Sequence, residues 1–311
     1  AVTFDSAKYT MDVVSIPRDT LVNVSWPVKK VNSLYAVYGE EKIKQAFSSI
    51  LGYTPDFYVV VNLRAFVKLV DAVGGITYNV PQNMYYSDPN QDLYINVSAG
   101  EQTLSGKDAL GVVRFRATYV EGDIKRISVQ QDFLKAAIKQ ILSNVNDVPI
   151  TTLADIVIND VKTDLEDGNV IWFAKEFLKM NYENINFHTL PGNYMDSVNG
   201  DSYVTIYLNQ WLEMINEYLN PFEEDIEVED VDILPRDANG YLYATSGVRK
   251  GSSSWGSGSG NTGGNTGENT GGNTGGNTGG NTGGNTGGTE IDEPGGGDDP
   301  VTPPGGDDPG N

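Results

Sequence analysis

The sequence predicts an α/β fold: a layered central mixed sheet flanked by helices, followed by a disordered Gly/Asn/Thr-rich C-terminal tail. Three observations carry that expectation. Segments with strand-like alternation or β-branched runs interleave with segments of 3.6-residue apolar period through the first two-thirds of the chain. Gly and Pro stand at the changes between them. Composition then breaks near residue 250, after which almost every residue is Gly, Ser, Asn, Thr, Asp or Pro.

Taken in order, Ala1-Val2-Thr3-Phe4 already alternates like a strand. Residues 9–16 read as a strand through Met11, Val13, Val14 and Ile16, and Pro17 stops it. Residues 40–51 place Ile43, Ala46, Phe47, Ile50 and Leu51 at helical spacing, with Gly52 set to end the helix. Residues 57–61 form a continuous apolar run, the pattern of a strand covered on both faces. Asn62 is positioned to cap a helix whose apolar face is Ala65, Phe66, Leu69, Val70 and Val73. Gly74-Gly75 ends it, and residues 76–80 return as a strand. A short strand over 94–97 leads to a turn at Ala99-Gly100, then a short helix over 105–113. Asp123 is placed to cap a long helix to about Leu142. Further helices fit 151–158, 167–180 and 204–219, with a strand at 185–190.

This organisation predicts one domain over 1–222, incomplete at its start, and an acidic wrapping or linker segment over 223–250. The disordered tail covers 251–311. Residues 223–232 hold seven acids among interleaved Ile226, Val228 and Val231, the pattern of a solvated edge rather than a cation site. Residues 261–288 are seven tandem four-residue units of Asn-Thr-Gly-Gly type. Gly at that density cannot repay its ordering entropy, and the whole 61-residue tail as a coil spans roughly 40–45 Å. A spacer, a wall-penetrating tail and a terminus without specific role all fit such a segment.

Composition excludes several functions. The net charge is −21, and 13 excess acids remain in residues 1–250 once the acidic tail is set aside. Such a surface repels a nucleic-acid backbone, so no nucleic-acid partner is expected. There is no cysteine, which excludes disulfides, thiolate catalysis and Cys-based zinc sites. The single histidine, His188, sits in a strand pattern and reads as an exposed or hydrogen-bonded strand residue. No apolar run reaches the ~18 residues needed to span a membrane.

Against this acidic background, four of the seven arginines fall in two short motifs. Arg18 lies in Ser15-Ile16-Pro17-Arg18-Asp19-Thr20, where a strand ends. Arg114, Arg116 and Arg126 lie between residues 113 and 130. Guanidinium groups present a fixed charge and a donor fork matched to phosphate oxygens. If 113–116 is extended, Arg114 and Arg116 project together while Phe115 faces the core. Arg126 and Gln130 are four apart and share a helix face near its positive end. The set predicts a clamp for a highly charged ligand such as pyrophosphate, against the plainer alternative of structural ion pairs. Lys30, in Lys30-Val31-Asn32-Ser33, could reach the same phosphate or sit solvated at the surface.

The ordered set of motifs resembles the LytR-CpsA-Psr family of cell-envelope proteins. The set comprises 15–20, 30–39, Val70-Asp71-Ala72-Val73-Gly74-Gly75, Gly100-Glu101-Gln102-Thr103-Leu104-Ser105-Gly106 and 113–130. The resemblance implies an α/β domain on the extracellular face of the cytoplasmic membrane, within the cell wall. It implies transfer of a glycopolymer of teichoic acid or capsular polysaccharide type from a polyprenyl pyrophosphate carrier to peptidoglycan, forming a phosphodiester. By motif position, Arg18, Arg116 and Arg126 would be catalytic. Arg114, Gln130, Lys30 and Asp123 would bind substrate, and the surfaces around Phe66, Val70 and Phe133 would be candidates for lining a lipid tunnel. The resemblance further implies Mg2+, held by two aspartate motifs expected upstream of Ala1 together with a transmembrane anchor, so that this chain is a fragment of a longer protein. Two other readings stay open: a polyprenyl-pyrophosphate-binding module without chemistry, and an envelope-related transcriptional attenuator, against which the charge argues.

Overall fold

A computed structural model describes residues 1–25, 29–91, 93–116, 123–245 and 247, apart from the side chains of 91, 123 and 124. The tail expected to be disordered lies outside the described residues. In chain order the first elements are β1 (Val2–Asp5), β2 (Thr10–Ser15), α1 (Val31–Tyr38), α2 (Glu40–Leu51), β3 (Val59–Val60), α3 (Leu63–Ala72) and β4 (Ile76–Val80). Next come β5 (Met84–Asp88), β6 (Leu93–Val97), β7 (Gly100–Leu104), α4 (Gly106–Arg114) and α5 (Asp123–Ser143). The chain continues with α6 (Ile150–Asp160), β8 (Lys162–Thr163), α7 (Asp167–Phe177), β9 (Ile185–Thr189), β10 (Gly192–Val198), β11 (Asp201–Ile206) and α8 (Leu208–Met214), closed by a π turn at Ile215–Leu219.

The class is α/β, with its strands distributed over several small sheets. The mixed sheet is β1-β2-β9, in which β1 pairs antiparallel with β2 and β2 pairs parallel with β9. Its edge is extended by a parallel bridge from Thr20 to Val204 on β11. The remaining pairs are β10-β11, β3-β8, β4-β7 and β5-β6.

Local chemistry explains where the helices begin and end. The Asn62 side chain accepts from the Ala65 N–H at 2.8 Å, capping α3 as the sequence predicts. Gly74 and Gly75 follow α3 at φ of 79° and 87°, a conformation that costs other residues a steric penalty. Ser105 caps α4 through the Asp108 N–H. The N–H of Gly106 donates to Asp71 Oδ1 at 2.7 Å, so the end of α3 holds the start of α4.

Three apolar clusters fill the interior. One joins β2, α2, α8 and the segment after residue 222, where Ile226, Val231 and Ile233 are buried. Trp211 is fully buried there and donates its indole N–H to Ile50 O at 2.8 Å. The acidic segment is therefore seated on the core by its interleaved aliphatics, and Asp232 N–H donates to Ser49 O at 2.8 Å. The second cluster gathers β4, β6, β7, α3, α4 and the Val129–Phe133 side of α5. The third places Ile138 of α5 against Met180 and Ile185. α5 thus packs in two clusters at once, and it also carries two of the expected site residues.

Three segments depart from their sequence patterns. Residues 57–61 do not form a strand covered on both faces. Only Val59–Val60 pairs, at the edge with β8, and Phe57, Val59 and Val61 are exposed. Residues 113–116 are not a strand: Arg114 is the last residue of α4, and Phe115 after it is extended, with φ −62° and ψ 137°. Residues 204–219 are not one helix, because 204–206 finish β11. The β-branched run Val204-Thr205-Ile206 is buried and favours a strand. The helix α1 and the strands β5, β7, β8 and β10 are elements that the sequence reading did not place.

Candidate functional site

Six elements converge on one cavity of about 940 Å3. The C-terminal end of β2 and the turn after it contribute Val14, Ser15, Ile16, Pro17 and Arg18. The end of α4 contributes Val113 and Arg114, followed by Arg116. The first turns of α5 contribute Arg126, Ile127 and Gln130. Phe47 of α2 and Tyr86 and Leu93 of the β5-β6 hairpin close the wall, with Ala1 at the rim. A ligand site beyond the carboxyl ends of strands is the usual location in sheets with parallel pairing.

Backbone structure fixes these side chains. Gln131 Nε2 sits 2.9 Å from Ser15 Oγ, 2.9 Å from His188 O and 2.8 Å from Thr189 Oγ1, tying α5 to the ends of β2 and β9. Gln130 Nε2 donates to Val113 O at 2.9 Å, satisfying a carbonyl in the last turn of α4. Arg114 occupies that same last turn, where the negative end of the helix dipole favours a cation. Phe115 is buried in the second cluster and holds the chain between Arg114 and Arg116.

The electrostatics are one-sided. Arg18, Arg114, Arg116 and Arg126 line the cavity, and among the described residues no Asp or Glu does. Arg126 is only 6% exposed, so its charge acts in a medium that screens poorly. Arg18 is half exposed and has Asp19 Oδ1 at 3.9 Å from its Nε. The Ala1 nitrogen donates to Val14 O at 2.9 Å.

Of the expected site residues, Arg18, Arg114, Arg116, Arg126 and Gln130 meet in this cavity. Lys30 does not. It lines a second cavity of about 580 Å3 together with Arg18, Asp19, Asn32, Ser33, Ala36, Asp201 and Tyr203. Lys30 Nζ lies 3.3 Å from Asp19 Oδ1 and 5.2 Å from the Tyr203 ring centroid. Asp123 is the first helical residue of α5 rather than the residue before it, and its side chain lies outside the described residues.

Phe66, Val70 and Phe133 belong to the packed second cluster, where the Phe66 and Phe133 rings lie 6.0 Å apart, and not to the cavity wall. The apolar wall is instead made by Val14, Ile16, Phe47, Leu93, Val113 and Ile127. The sequence reading missed Phe47, Tyr86, Leu93 and Gln131. Only Tyr86 and Leu93 had an available signal, the Asp88-Pro89-Asn90 turn that makes β5-β6 a hairpin.

His188 is a structural residue. Its Nε2 lies 3.2 Å from Asp12 Oδ1, and its ring stacks on Tyr218 at 3.8 Å. Among the described residues no group of three or more His, Cys, Asp or Glu is arranged to hold a metal ion. None of the described helices is long and apolar enough to cross a membrane.

Fold and site together define an α/β protein with an arginine-lined cavity beside an apolar wall. The profile of the LytR_cpsA_psr family matches residues 1–220, and the chain belongs to that family. It is 33% identical over 242 residues to the cell wall biosynthesis protein LcpA of Corynebacterium glutamicum, covering 68% of this chain and 46% of LcpA. The crystal structure of B. subtilis TagV superposes with a TM-score of 0.58 at 24% identity, covering 70% of this chain and 88% of TagV. A structure of TagT bound to LI-WTA superposes with a TM-score of 0.53 at 23% identity, covering 70% and 80% of the two chains. The alignment takes in about half the length of LcpA.

Proposed function

We propose that the larger cavity binds the pyrophosphate of a polyprenyl-linked anionic glycopolymer, of teichoic acid or capsular polysaccharide type, and that the protein transfers the polymer to peptidoglycan. One observation carries the reading: Arg18, Arg114, Arg116 and Arg126 line a single cavity, and among the described residues no carboxylate joins them. Four fixed positive charges gathered on one wall suit a pyrophosphate, whose charge is concentrated on a few oxygens. The apolar wall from Val14 to Ile127 suits the first isoprene units of a carrier lipid. The name of LcpA and the ligand of TagT support a cell-wall glycopolymer as the substrate class. The family's place in the cell envelope supports action at the outer face of the membrane, with an anchor on the longer protein.

In the reaction an acceptor hydroxyl oxygen bonds to the phosphorus that carries the polymer. The bridging P–O bond breaks, and polyprenyl phosphate leaves with its electron pair while the hydroxyl releases its proton. The arginines act on the charge that builds on the leaving phosphate, a role worth ~10²–10³ in rate per donor. Arg126, buried at the first turns of α5, is best placed to act without reorganisation. Arg18 and Arg116, more exposed, orient the incoming oxygens. Gln130, anchored on Val113 O, keeps α5 and the end of α4 in register beneath the ligand.

Magnesium would neutralise pyrophosphate oxygens, but among the described residues the lining of this cavity offers it no carboxylate. The described residues therefore do not fit the ion by themselves. Our proposal remains that its ligands come from residues other than these. The lack of an acid among the described lining residues favours a second reading, a module that binds polyprenyl pyrophosphate without chemistry. Calorimetry with pyrophosphate, followed by a transfer assay in the longer protein, tests both. Binding lost in Arg126→Ala together with magnesium-dependent turnover supports the transferase. Binding without turnover supports the module, and no binding at all refutes both.

A further inference from the structure

Arg18 belongs to two cavities. The second, of about 580 Å3, falls inside the size range of ordinary ligand pockets, about 300–1,000 Å3. Its charge differs in kind from the first. Two cations, Arg18 and Lys30, face two carboxylates, Asp19 and Asp201, so the lining sums to zero. Among the described residues the larger cavity holds four cations and no acid. A second anion would gain nothing from the neutral lining and would meet two carboxylates.

The walls are set by backbone bonds. Asn32 N–H donates to Arg18 O at 3.0 Å, and Val31 N–H donates to Thr20 O at 3.1 Å. Leu21 bridges to Lys30, and Thr20 bridges to Val204 of β11, which also carries Asp201 and Tyr203. Lys30 is held by Asp19, and Tyr203 is buried beneath it. Among the described residues the Asn32 amide and the Asp201 carboxylate make no hydrogen bond or ion pair. The cavity therefore presents a free amide, which both donates and accepts, and a free carboxylate, which accepts. A hydroxyl group both donates and accepts, and it matches that pair.

We propose that this second cavity is the acceptor subsite, and that it takes a neutral, hydroxyl-rich glycan chain. The inference rests on the reading of the larger cavity as the pyrophosphate site. Arg18 is the shared wall. A phosphoryl oxygen held by Arg18 from one cavity lies next to a hydroxyl seated in the other, and such proximity is a main source of rate in group transfer. Lys30 then serves the acceptor side, through Asp19, rather than the pyrophosphate.

Two probes titrated into the whole chain by calorimetry test this: inorganic pyrophosphate, and tetra-N-acetylchitotetraose as a neutral glycan. Asn32→Ala and Asp201→Ala are expected to weaken glycan binding about tenfold, the worth of one or two hydrogen bonds, and to leave pyrophosphate affinity unchanged. Arg126→Ala is expected to do the reverse. Both subsite positions lie at the surface of the cavity, and circular dichroism of each variant confirms that it is folded. If pyrophosphate binds while the glycan does not, or while the glycan binds both subsite variants as it binds wild type, the acceptor subsite is refuted and the pyrophosphate reading stands. If pyrophosphate affinity falls in Asn32→Ala, the second cavity is part of the anion site and the proposal fails. If pyrophosphate does not bind at all, the reading of the larger cavity fails and takes this one with it.

Discussion

Replacing Gly106 by alanine tests whether the close approach of α3 and α4 sets the position of Arg114. A Cβ built on Gly106 would lie 2.3 Å from Val67 O and 2.8 Å from both Val67 Cα and Cγ1. A close carbon–oxygen contact is about 3.3 Å, so the two helices would have to part by roughly 1 Å. Val67 O is main chain in the middle of α3 and cannot rotate away. Overpacking of this kind costs about 1–3 kcal/mol. Parting the helices also stretches the 2.7 Å bond from Gly106 N–H to Asp71, worth about 0.5–1.5 kcal/mol. A combined loss of about 2–4 kcal/mol corresponds to a fall in Tm of roughly 4–16 °C for a domain of this size. Gly168→Ala is the matched control. It makes the same chemical change in the first turn of α7, where nothing lies within 4 Å of the added carbon. That variant should be neutral or gain up to about 1 kcal/mol. Thermal melting followed by circular dichroism reads both. A Gly106→Ala protein melting at or above wild type would refute the packing argument.

Other perturbations separate the site from its supports. Arg126→Ala should weaken pyrophosphate binding about 10–100-fold, from the loss of charge-assisted bonds worth about 1.5–3 kcal/mol; unchanged calorimetric affinity would remove Arg126 from the clamp. Gln131→Leu keeps the bulk but deprives Ser15, His188 O and Thr189 of their shared donor. It should cost about 1–3 kcal/mol in urea unfolding, and a value near zero would show that the β2–β9 ends do not need the bond. Arg236→Ala removes the two-pronged contact to Asp196, 2.7 and 2.9 Å, and should cost about 1.5–3 kcal/mol at pH 7 without changing pyrophosphate affinity. The Arg236 guanidinium holds the Asp196 carboxyl below the usual carboxylate range. That contribution is present above the unfolded pKa of about 4 and is lost as pH falls through the lower folded value. Wild type and Arg236→Ala should therefore converge in stability as acid is added, and a gap that persists at pH 2 would contradict the assignment.

What the sequence made legible was local. The helix at 40–51, the Asn62 cap, the Gly74-Gly75 stop and the Ser105 start depend on residues within one or two turns of each other, and all stand in the structure. The shared face of Arg126 and Gln130 is local too, and both reach the cavity. Their meeting with Arg18 is not local, because it depends on β2 lying beside β9 and on Gln131 clamping α5 across both. The motif resemblance supplied that juxtaposition; periodicity could not. The 204–219 segment was misread because its apolar spacing fits a helix once its first residues are included. Asn199-Gly200, at φ of 55° and 90°, is the tight hairpin turn between β10 and β11, and that pair of residue types is a sequence signal for it. Reading it would have placed Asp201 and Tyr203 on a strand beside Lys30. The exposed run at 57–61 shows the opposite limit: an apolar stretch does not reveal whether anything covers it.

The pairing of β2 with β9 has a kinetic consequence. Asp12 receives a hydrogen bond from Asn186, 174 residues further along the chain. Closing a loop of that length costs about 4–5 kcal/mol in chain entropy before any contact across it repays the loss. A topology dominated by such distant contacts folds slowly. The segment bearing Arg18 is made early, yet its parallel neighbour exists only after Thr189 has been synthesised, and the cluster that buries Val14 also waits for Ile233. The cavity is thus completed late, and a chain passing through a narrow exit from its N-terminus would remain without its anion site until nearly all of the described residues had emerged.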